Sequence, residues 1–402
     1  MPVFLNTLSA AFDILYLLNR KQFLWQTFKK LSSVISLFLY YFICLNSGKP
    51  MKNKSIIIIL AMGHGLNDLV AGYFLGSLVQ MKFDILQTGM GLFVYNLLAF
   101  GGQYPVALWV EKYSNPKIFL TCSYLLNTVA VALFIWTPHL SIVLAGVASA
   151  IYHVAGGAVC ARDNKAVNIG FFAAPGVAGL IAGGYFAFTK IEIIGWLMIA
   201  CVVFLLFISL LQIKDKPIKD KYLQEPNSKL ILDQHDLIMI LLLTIISLRS
   251  VVWNIFQLLH DHNYEWLLAI AIAACTGKIL GGWLADRIGW RLYLFISLLA
   301  ATPLITFCKN EILLFCIGIG LLQSGIPAST ALLIQSVKGK TERGIGLSFG
   351  TAIIGGAVVL YTPFRDLLFQ NFGLIFISIV MLLLLFFTIQ TKTTKSPPNK
   401  SF

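Results

Sequence analysis

Charge is scarce in this chain. Charged residues make up 12% of its 402 positions and hydrophobic residues 58%, which is about half the charge of an ordinary soluble protein. That balance excludes a soluble domain with a solvated surface. No G-x-x-x-x-G-K-[S/T] phosphate loop occurs, so any uphill work must draw on an ion gradient. No C-x-x-C pair occurs either. The seven cysteines, at positions 44, 122, 160, 201, 275, 308 and 316, all lie in apolar runs and read as small buried hydrophobes rather than a disulfide or metal set. No metal and no cofactor is expected. Long polar stretches are missing too, apart from the one between Lys214 and Asp236.

What is present is apolar sequence at membrane length. Mean hydropathy is +0.83, and runs of roughly 20 residues recur, each long enough to cross a ∼30 Å hydrocarbon core. From Lys54 onward twelve spans are expected, at 55–79, 89–110, 117–136, 140–161, 167–188, 191–213, 237–257, 264–285, 291–308, 311–334, 343–362 and 370–390. The fold class is therefore an all-α membrane protein with twelve transmembrane helices. They fall into an N-terminal six-helix half at 51–213 and a C-terminal half at 237–392, with a polar linker at 214–236 and a tail at 393–402.

The net charge of +13 is not gathered on one face or arm, so it does not point to nucleic acid. The basic residues sit in the short connections and set topology. Alternate connections after residue 50 carry 19 Lys and Arg in one set and 4 (Lys82, Lys190, Lys309, Arg365) in the other. By the positive-inside rule the linker and both ends of the twelve-helix core face the cytoplasm. The expected location is the inner (plasma) membrane. Residues 1–50 do not fit the pattern: their one apolar run, Leu31–Asn46, is short and flanked by Lys29, Lys30 and Lys49. They read as an interfacial helix or as sequence upstream of a start at Met51.

An ionisable group near the bilayer centre costs about 2.5–3.5 kcal/mol on insertion scales, so each one calls for a reason. Of the 17 carboxylates only Asp68 lies deep in a span. It belongs to Gly63-His-Gly-Leu-Asn-Asp-Leu69, where His64 and Asp68 are i and i+4 and share a face, with Asn67 beside them. His153 lies in the fourth span, next to Tyr152. Arg249 is central in the seventh, followed by Trp253 and Asn254. All these central groups fall within about 5 Å of the midplane at 1.5 Å rise per residue. Lys278 in the eighth span is closer to the cytoplasm, where its stem could snorkel. His64, Asp68 and His153 are read as proton-handling groups, since His titrates near neutral pH and a buried Asp can be raised towards it. Arg249, Asn67, Tyr95, Asn96, Tyr152, Trp253, Asn254 and Gln323 are read as substrate-lining. Asp68 and Arg249 hold nearly equivalent positions in the two halves and are expected to face and neutralise each other across a central cavity. His260-Asp261-His262, in an outward loop, reads as solvated rather than metal-binding.

Between the eighth and ninth spans stands Gly282-Trp-Leu-Ala-Asp-Arg-Ile-Gly-Trp-Arg291. Gly282 and Gly289 let backbones approach, and Asp286 can cap a nearby helix end or pair with Arg287 or Arg291. The string resembles the major facilitator superfamily signature G-x-L-a-D-r-x-G-r-r, with Trp290 replacing the first closing basic residue. A degenerate copy, Trp109-Val-Glu-Lys-Tyr-Ser-Asn-Pro-Lys117, follows the second span without the glycines. The resemblance implies two parallel six-helix halves with a substrate site between them. Within that superfamily His64, Asn67 and Asp68 match the His-x-x-Asn-Asp pattern of the fosmidomycin-resistance efflux branch. Tyr152-His153-Val154-Ala155-Gly156 keeps the aromatic, His and Gly of its fourth-span string but loses the Pro-Glu pair. Residues 168–184, rich in glycine around Pro175, loosely resemble the fifth-span motif of drug/proton antiporters, and close helix packing explains them equally well.

The implied function is proton-coupled efflux of a small organic solute by a monomeric transporter, whose partners are that solute, protons and membrane lipid. Uptake symport uses the same residues. A non-transporting protein that keeps the fold is the remaining alternative. A membrane-embedded transferase is disfavoured by the short outward connections.

Overall fold

The computed structural model describes residues 53–81, 85–213, 234–259, 264–337, 340–358, 367–368 and 370–390. The expected N-terminal segment 1–50, the linker except for its last three residues, the His260–His262 loop and the tail 393–402 lie outside them.

Every regular element among the described residues is a helix. In chain order these are α1 (Asn53–Gln80), α2 (Ile85–Asn96), α3 (Gln103–Tyr113), α4 (Pro116–Leu133), α5 (Pro138–Ala161), α6 (Ala166–Phe188) and α7 (Ile194–Leu210). They continue as α8 (Gln234–Leu259), α9 (Tyr264–Ile288), α10 (Trp290–Phe307), α11 (Ile312–Ser336), α12 (Thr341–Ile345), α13 (Ala352–Val358) and α14 (Asn371–Gln390). Nine are long and apolar enough to cross a membrane: α1, α4, α5, α6, α8, α9, α10, α11 and α14. The three remaining expected spans take other forms. The sixth is the 17-residue α7. The second is α2 and α3 joined through a π-helical turn, Leu97–Gly101, and the eleventh is α12 and α13 joined through another, Gly346–Thr351. The arrangement accords with twelve spans.

Local chemistry sets the helix ends. Asn115 accepts the amide of Ile118 at 3.2 Å and Pro116 follows at the first helical position, which together start α4. Gly289, at φ +95°, makes the tight turn into α10 that a side chain would strain. Large apolar side chains such as Ile135, Leu313 and Phe372 are exposed on the outside of the bundle, as a lipid-facing surface requires, and Trp136 lies exposed at a span end.

Inside, helices approach through small residues. On α1 Gly72 and Gly76, and on α6 Gly179 and Gly183, form two G-x-x-x-G faces. A Cβ on Gly179 would run into the carbonyl oxygen of Gly65, and one on Gly183 into that of Leu69. The α9/α11 contact repeats the device: Cβ atoms at Gly277 and Gly281 would meet the carbonyls of Gly320 and Ser324. Lipid tails are as apolar as leucine, so such contacts must come from van der Waals fit. The glycine-rich 168–184 stretch thus serves close packing.

The two π turns face each other. A Cβ on Gly350 would lie against the carbonyl oxygen of Phe100, and one on Gly346 would lie 2.9 Å from the carbonyl oxygen of Gln103. Gln103 is fully buried, and its amide donates to Ala99 O at 2.9 Å, satisfying a carbonyl inside the irregular turn.

Gly179→Ala should destabilise the protein by about 1–3 kcal/mol through overpacking. Gly195→Ala, where nothing lies within 4 Å of the added carbon, should change stability by less than about 0.5 kcal/mol. Thermal unfolding of the detergent-solubilised protein checks both, and equal effects would contradict the packing described.

Candidate functional site

The polar centre of α1 meets α5 and α6 in one cluster. His64 and His153 are 4% and 6% exposed, and the Asp68 side chain is 14% exposed. His64 Nε2 lies 3.2 Å from one carboxylate oxygen of Asp68, and His153 Nε2 lies 3.7 Å from the other. Asn67 donates to Asp68 Oδ1 at 2.8 Å and is itself oriented by Asn127, which donates to its Oδ1 at 2.9 Å. The ring of His64 stacks on Phe172, with centroids 4.6 Å apart. Gly176 makes room for all of this, because a Cβ there would stand 2.6 Å from both Asp68 Oδ2 and His64 Nε2.

The hydrogens of the two imidazoles follow from their neighbours. The Nδ1 of His64 lies 2.7 Å from Phe172 O, and that of His153 lies 2.8 Å from Ser149 O. A carbonyl only accepts, so each Nδ1 carries a hydrogen. A Ser149 hydroxyl donating to His153 Nδ1 at 3.1 Å would leave that nitrogen's lone pair against the nearer carbonyl. With both Nδ1 sites protonated, two neutral rings would point lone pairs at each other across the 2.7 Å between their Nε2 atoms. A hydrogen lies between the two Nε2 atoms, beside the Asp68 carboxylate, either as a proton added to the pair or as the Nε2–H of a neutral His153 whose Nδ1 accepts the Ser149 hydroxyl.

His64, Asp68 and His153 are also the set, among the described residues, whose ligand atoms converge closely enough for a metal ion, within 4.8 Å of one another. Two nitrogens bound tetrahedrally at about 2.0–2.1 Å from zinc would stand about 3.3 Å apart. The observed 2.7 Å suits a proton better.

Arg249 is not part of this cluster. Its Nη1 donates to Ser329 Oγ on α11 at 3.1 Å, so the expected Asp68–Arg249 pair is replaced by Asp68 with two histidines. The reason is packing: α1 lies against α5 and α6, whereas Arg249 on α8 is turned to the small Gly325 and Ser329 face of α11. The cation that reaches the neighbourhood of the cluster is Lys278. It does not snorkel. It is 7% exposed and donates to Ala173 O at 3.3 Å, one turn of α6 before Gly176.

The other substrate-lining expectations fare unevenly. Tyr95 is buried and donates to Ser149 Oγ at 3.4 Å, so it joins the cluster's edge. Tyr152 is fully buried, gives its hydroxyl hydrogen to Leu60 O at 2.8 Å, and packs edge-on to Tyr124. It belongs to the core rather than to a binding surface. Asn96 is exposed and donates to Leu92 O in its own helix. Trp253 is partly buried, Gln323 is buried in α11, and the side chain of Asn254 lies outside the described part. Ser149 and Asn127 were not anticipated. The spacing of Ser149 four residues before His153, and a lone Asn in the middle of the third span, were the available signals.

The signature turn works as a clasp. Asp286 accepts the amides of Ala166 and Val167, at 2.9 and 3.0 Å, and so caps the start of α6. It pairs with neither neighbouring arginine: Arg287 stacks on Trp283 at 3.8 Å, and Arg291 donates to Thr388 O. Trp290, the departure from the signature, donates its indole N–H to Asp286 Oδ1 at 2.8 Å and holds the carboxylate in place. A Cβ on Gly282 would meet Ala166 O at 2.7 Å. The degenerate copy does the matching task on the same end of the bundle. Glu111 accepts from Arg343 Nε at 2.5 Å and lies 3.7 Å from Lys340 Nζ, at the start of α12.

An all-helical bundle with a buried acid–imidazole cluster, buried cations and twin clasps at one end defines a polytopic membrane protein of the transporter class. The chain belongs to the Major Facilitator Superfamily, whose family model matches residues 54–349, and that family consists of secondary transporters. Among solved structures it resembles the transporter FucP in the outward conformation, with a TM-score of 0.65 and 13% identity over 85% of this chain and 97% of that one. The E. coli fucose:proton symporter FucP matches with a TM-score of 0.65 and 11% identity over 85% of this chain and 98% of that one. The human organic anion transporter MFSD10 (TETRAN) matches with a TM-score of 0.60 and 13% identity over 84% and 99%. No curated protein sequence matches the chain.

Asp286→Ala should cost about 1 kcal/mol of stability through loss of the α6 cap, against at most a few tenths for the exposed Arg287→Ala. Thermal unfolding of the two variants compares them.

Proposed function

We propose that this protein is a proton-coupled transporter that exports a small organic solute across the plasma membrane. The observation that carries this reading is the His64–Asp68–His153 cluster. A carboxylate and two imidazoles lie within 2.7–3.7 Å of one another in the hydrocarbon region, all on helices of the first six spans. Such a group is costly to hold in a membrane and is by default a functional site, and handing a proton on is the chemistry its geometry allows. The fold likeness to a fucose:proton symporter is in keeping with proton coupling. Export is favoured by the His-x-x-Asn-Asp pattern of α1, which resembles the fosmidomycin-resistance branch. The missing Pro-Glu pair shifts the proton-handling onto Asp68 and the histidines.

In this reading residues 51–213 and 237–392 are two halves that rock about the cluster. The charge bias of the connections supports a cytoplasmic position for the clasped end, where the Asp286 and Glu111 clasps hold it closed. They part when the protein opens inward. The protein works as a monomer, with the solute and protons as its partners.

Proteoliposomes loaded with a pH-sensitive dye test this against a panel of small organic solutes. A transported solute should move protons with it in the wild type, and Asp68→Asn should reduce that movement to background. Unchanged proton movement in Asp68→Asn, His64→Gln and His153→Gln alike would sink the assignment.

A further inference from the structure

The atoms that hold a hydrogen between His64 and His153 are also a ligand set. Two imidazole nitrogens and a carboxylate, all on α1 and α5, bring their ligand atoms within 4.8 Å of one another. The two ring planes cross at 88°, so the nitrogens approach their common neighbourhood from different directions. Around tetrahedral zinc, ligand atoms bound at about 2.0–2.1 Å stand about 3.3 Å apart. The two nitrogen–oxygen separations, 3.2 and 3.7 Å, one to each oxygen of Asp68, lie on either side of that value. The nitrogen–nitrogen separation of 2.7 Å belongs to a pair with a hydrogen between its members. It falls short of the zinc spacing by about 0.6 Å, which a small turn of either ring about its Nδ1 contact makes up.

The surroundings are those of metal-binding histidines. A histidine that ligates through Nε2 ordinarily gives its Nδ1 hydrogen to a carbonyl or carboxylate, which fixes the ring and turns the Nε2 lone pair to the ion. Here Phe172 O lies 2.7 Å from Nδ1 of His64, and Ser149 O lies 2.8 Å from that of His153. The carboxylate is held as well, by Asn67, which Asn127 orients in turn. Gly176 leaves open the flank of the set where a Cβ would stand 2.6 Å from both Asp68 Oδ2 and His64 Nε2. We propose that a divalent transition-metal ion of the zinc class binds His64 Nε2, His153 Nε2 and Asp68 in place of the hydrogen between the rings. Imidazole with one carboxylate suits such an ion, whereas calcium or magnesium asks for a shell of oxygens that one carboxylate does not supply. Ion and hydrogen occupy the same space and exclude each other. The binding is independent of the transporter reading, but its consequence rests on it: a bound metal ion arrests proton movement.

The test uses the full-length protein, purified in detergent and freed of any polyhistidine tag. Zinc chloride should raise the unfolding temperature of the wild type in a saturable way, with one ion per chain, and magnesium or calcium chloride should not. His64→Gln, His153→Gln and Asp68→Asn should each weaken the apparent zinc affinity about a hundredfold or more. His139→Gln, at an exposed position, and the paired change His260→Gln/His262→Gln should leave it unchanged. X-ray absorption of the zinc-loaded wild type depends on no variant folding, and it should show two imidazoles bound at about 2.0–2.1 Å. In proteoliposomes zinc should halt the solute-driven proton movement of the wild type. No saturable shift, a zinc shell without two imidazoles, an affinity unchanged in both His64→Gln and His153→Gln, or an affinity lost in the loop pair instead would overturn the site. Zinc bound at full occupancy with proton movement undiminished would overturn the exclusion. The two readings fail separately. Solute-driven proton movement without zinc binding ends the metal site and keeps the transporter, whereas zinc binding with no solute-driven proton movement keeps the site and ends the coupling.

Discussion

A charge placed in hydrocarbon has no water to lean on, and the centre of this molecule is organised around that constraint. The carboxylate of Asp68 persists at the middle of α1 because Asn67 and two imidazoles turn towards it, and each of these is held by a further partner. Asn127 holds Asn67, the Phe172 carbonyl holds His64, and Ser149 holds His153. The network is satisfied around the carboxylate, while the Asn127 Oδ1 at its edge has no hydrogen-bond partner.

The same constraint explains why glycine matters so much here. Polar side chains on α1, α5 and α6 meet only if the helices come closer than ordinary side chains permit. The paired G-x-x-x-G faces and Gly176 supply that approach. Among the described residues the two π turns interrupt the regular helices, and they pack on each other inside the bundle. At one end of the bundle the Asp286 and Glu111 clasps tie each group of six spans to a helix start in the other.

Much of this was legible in the chain. The apolar runs announced the spans, and the i, i+4 spacing of His64 and Asp68 a shared face. Gly282 and Asp286 marked a turn tight enough to clasp another element. Less legible was which distant residues would meet. Equivalent positions on the first and seventh spans suggested that Asp68 faces Arg249, but equivalence under pseudo-symmetry says nothing about rotation of a helix about its own axis. Asn96 and Tyr152 looked like lining residues for the same reason: polarity in a span does not reveal which neighbour it serves.

Composition and periodicity could settle that this is a helical membrane protein, how its spans are spaced and which few ionisable groups they hide, because those properties are local and the bilayer enforces them residue by residue. The union of His64 with His153, the cap that Asp286 places on α6, the indole of Trp290 in a basic residue's place and the turning of Arg249 to Ser329 and of Lys278 to Ala173 depend on helices brought together from far along the chain. Their register and rotation come from interhelical packing, a sum of many small contacts that no single stretch of sequence contains.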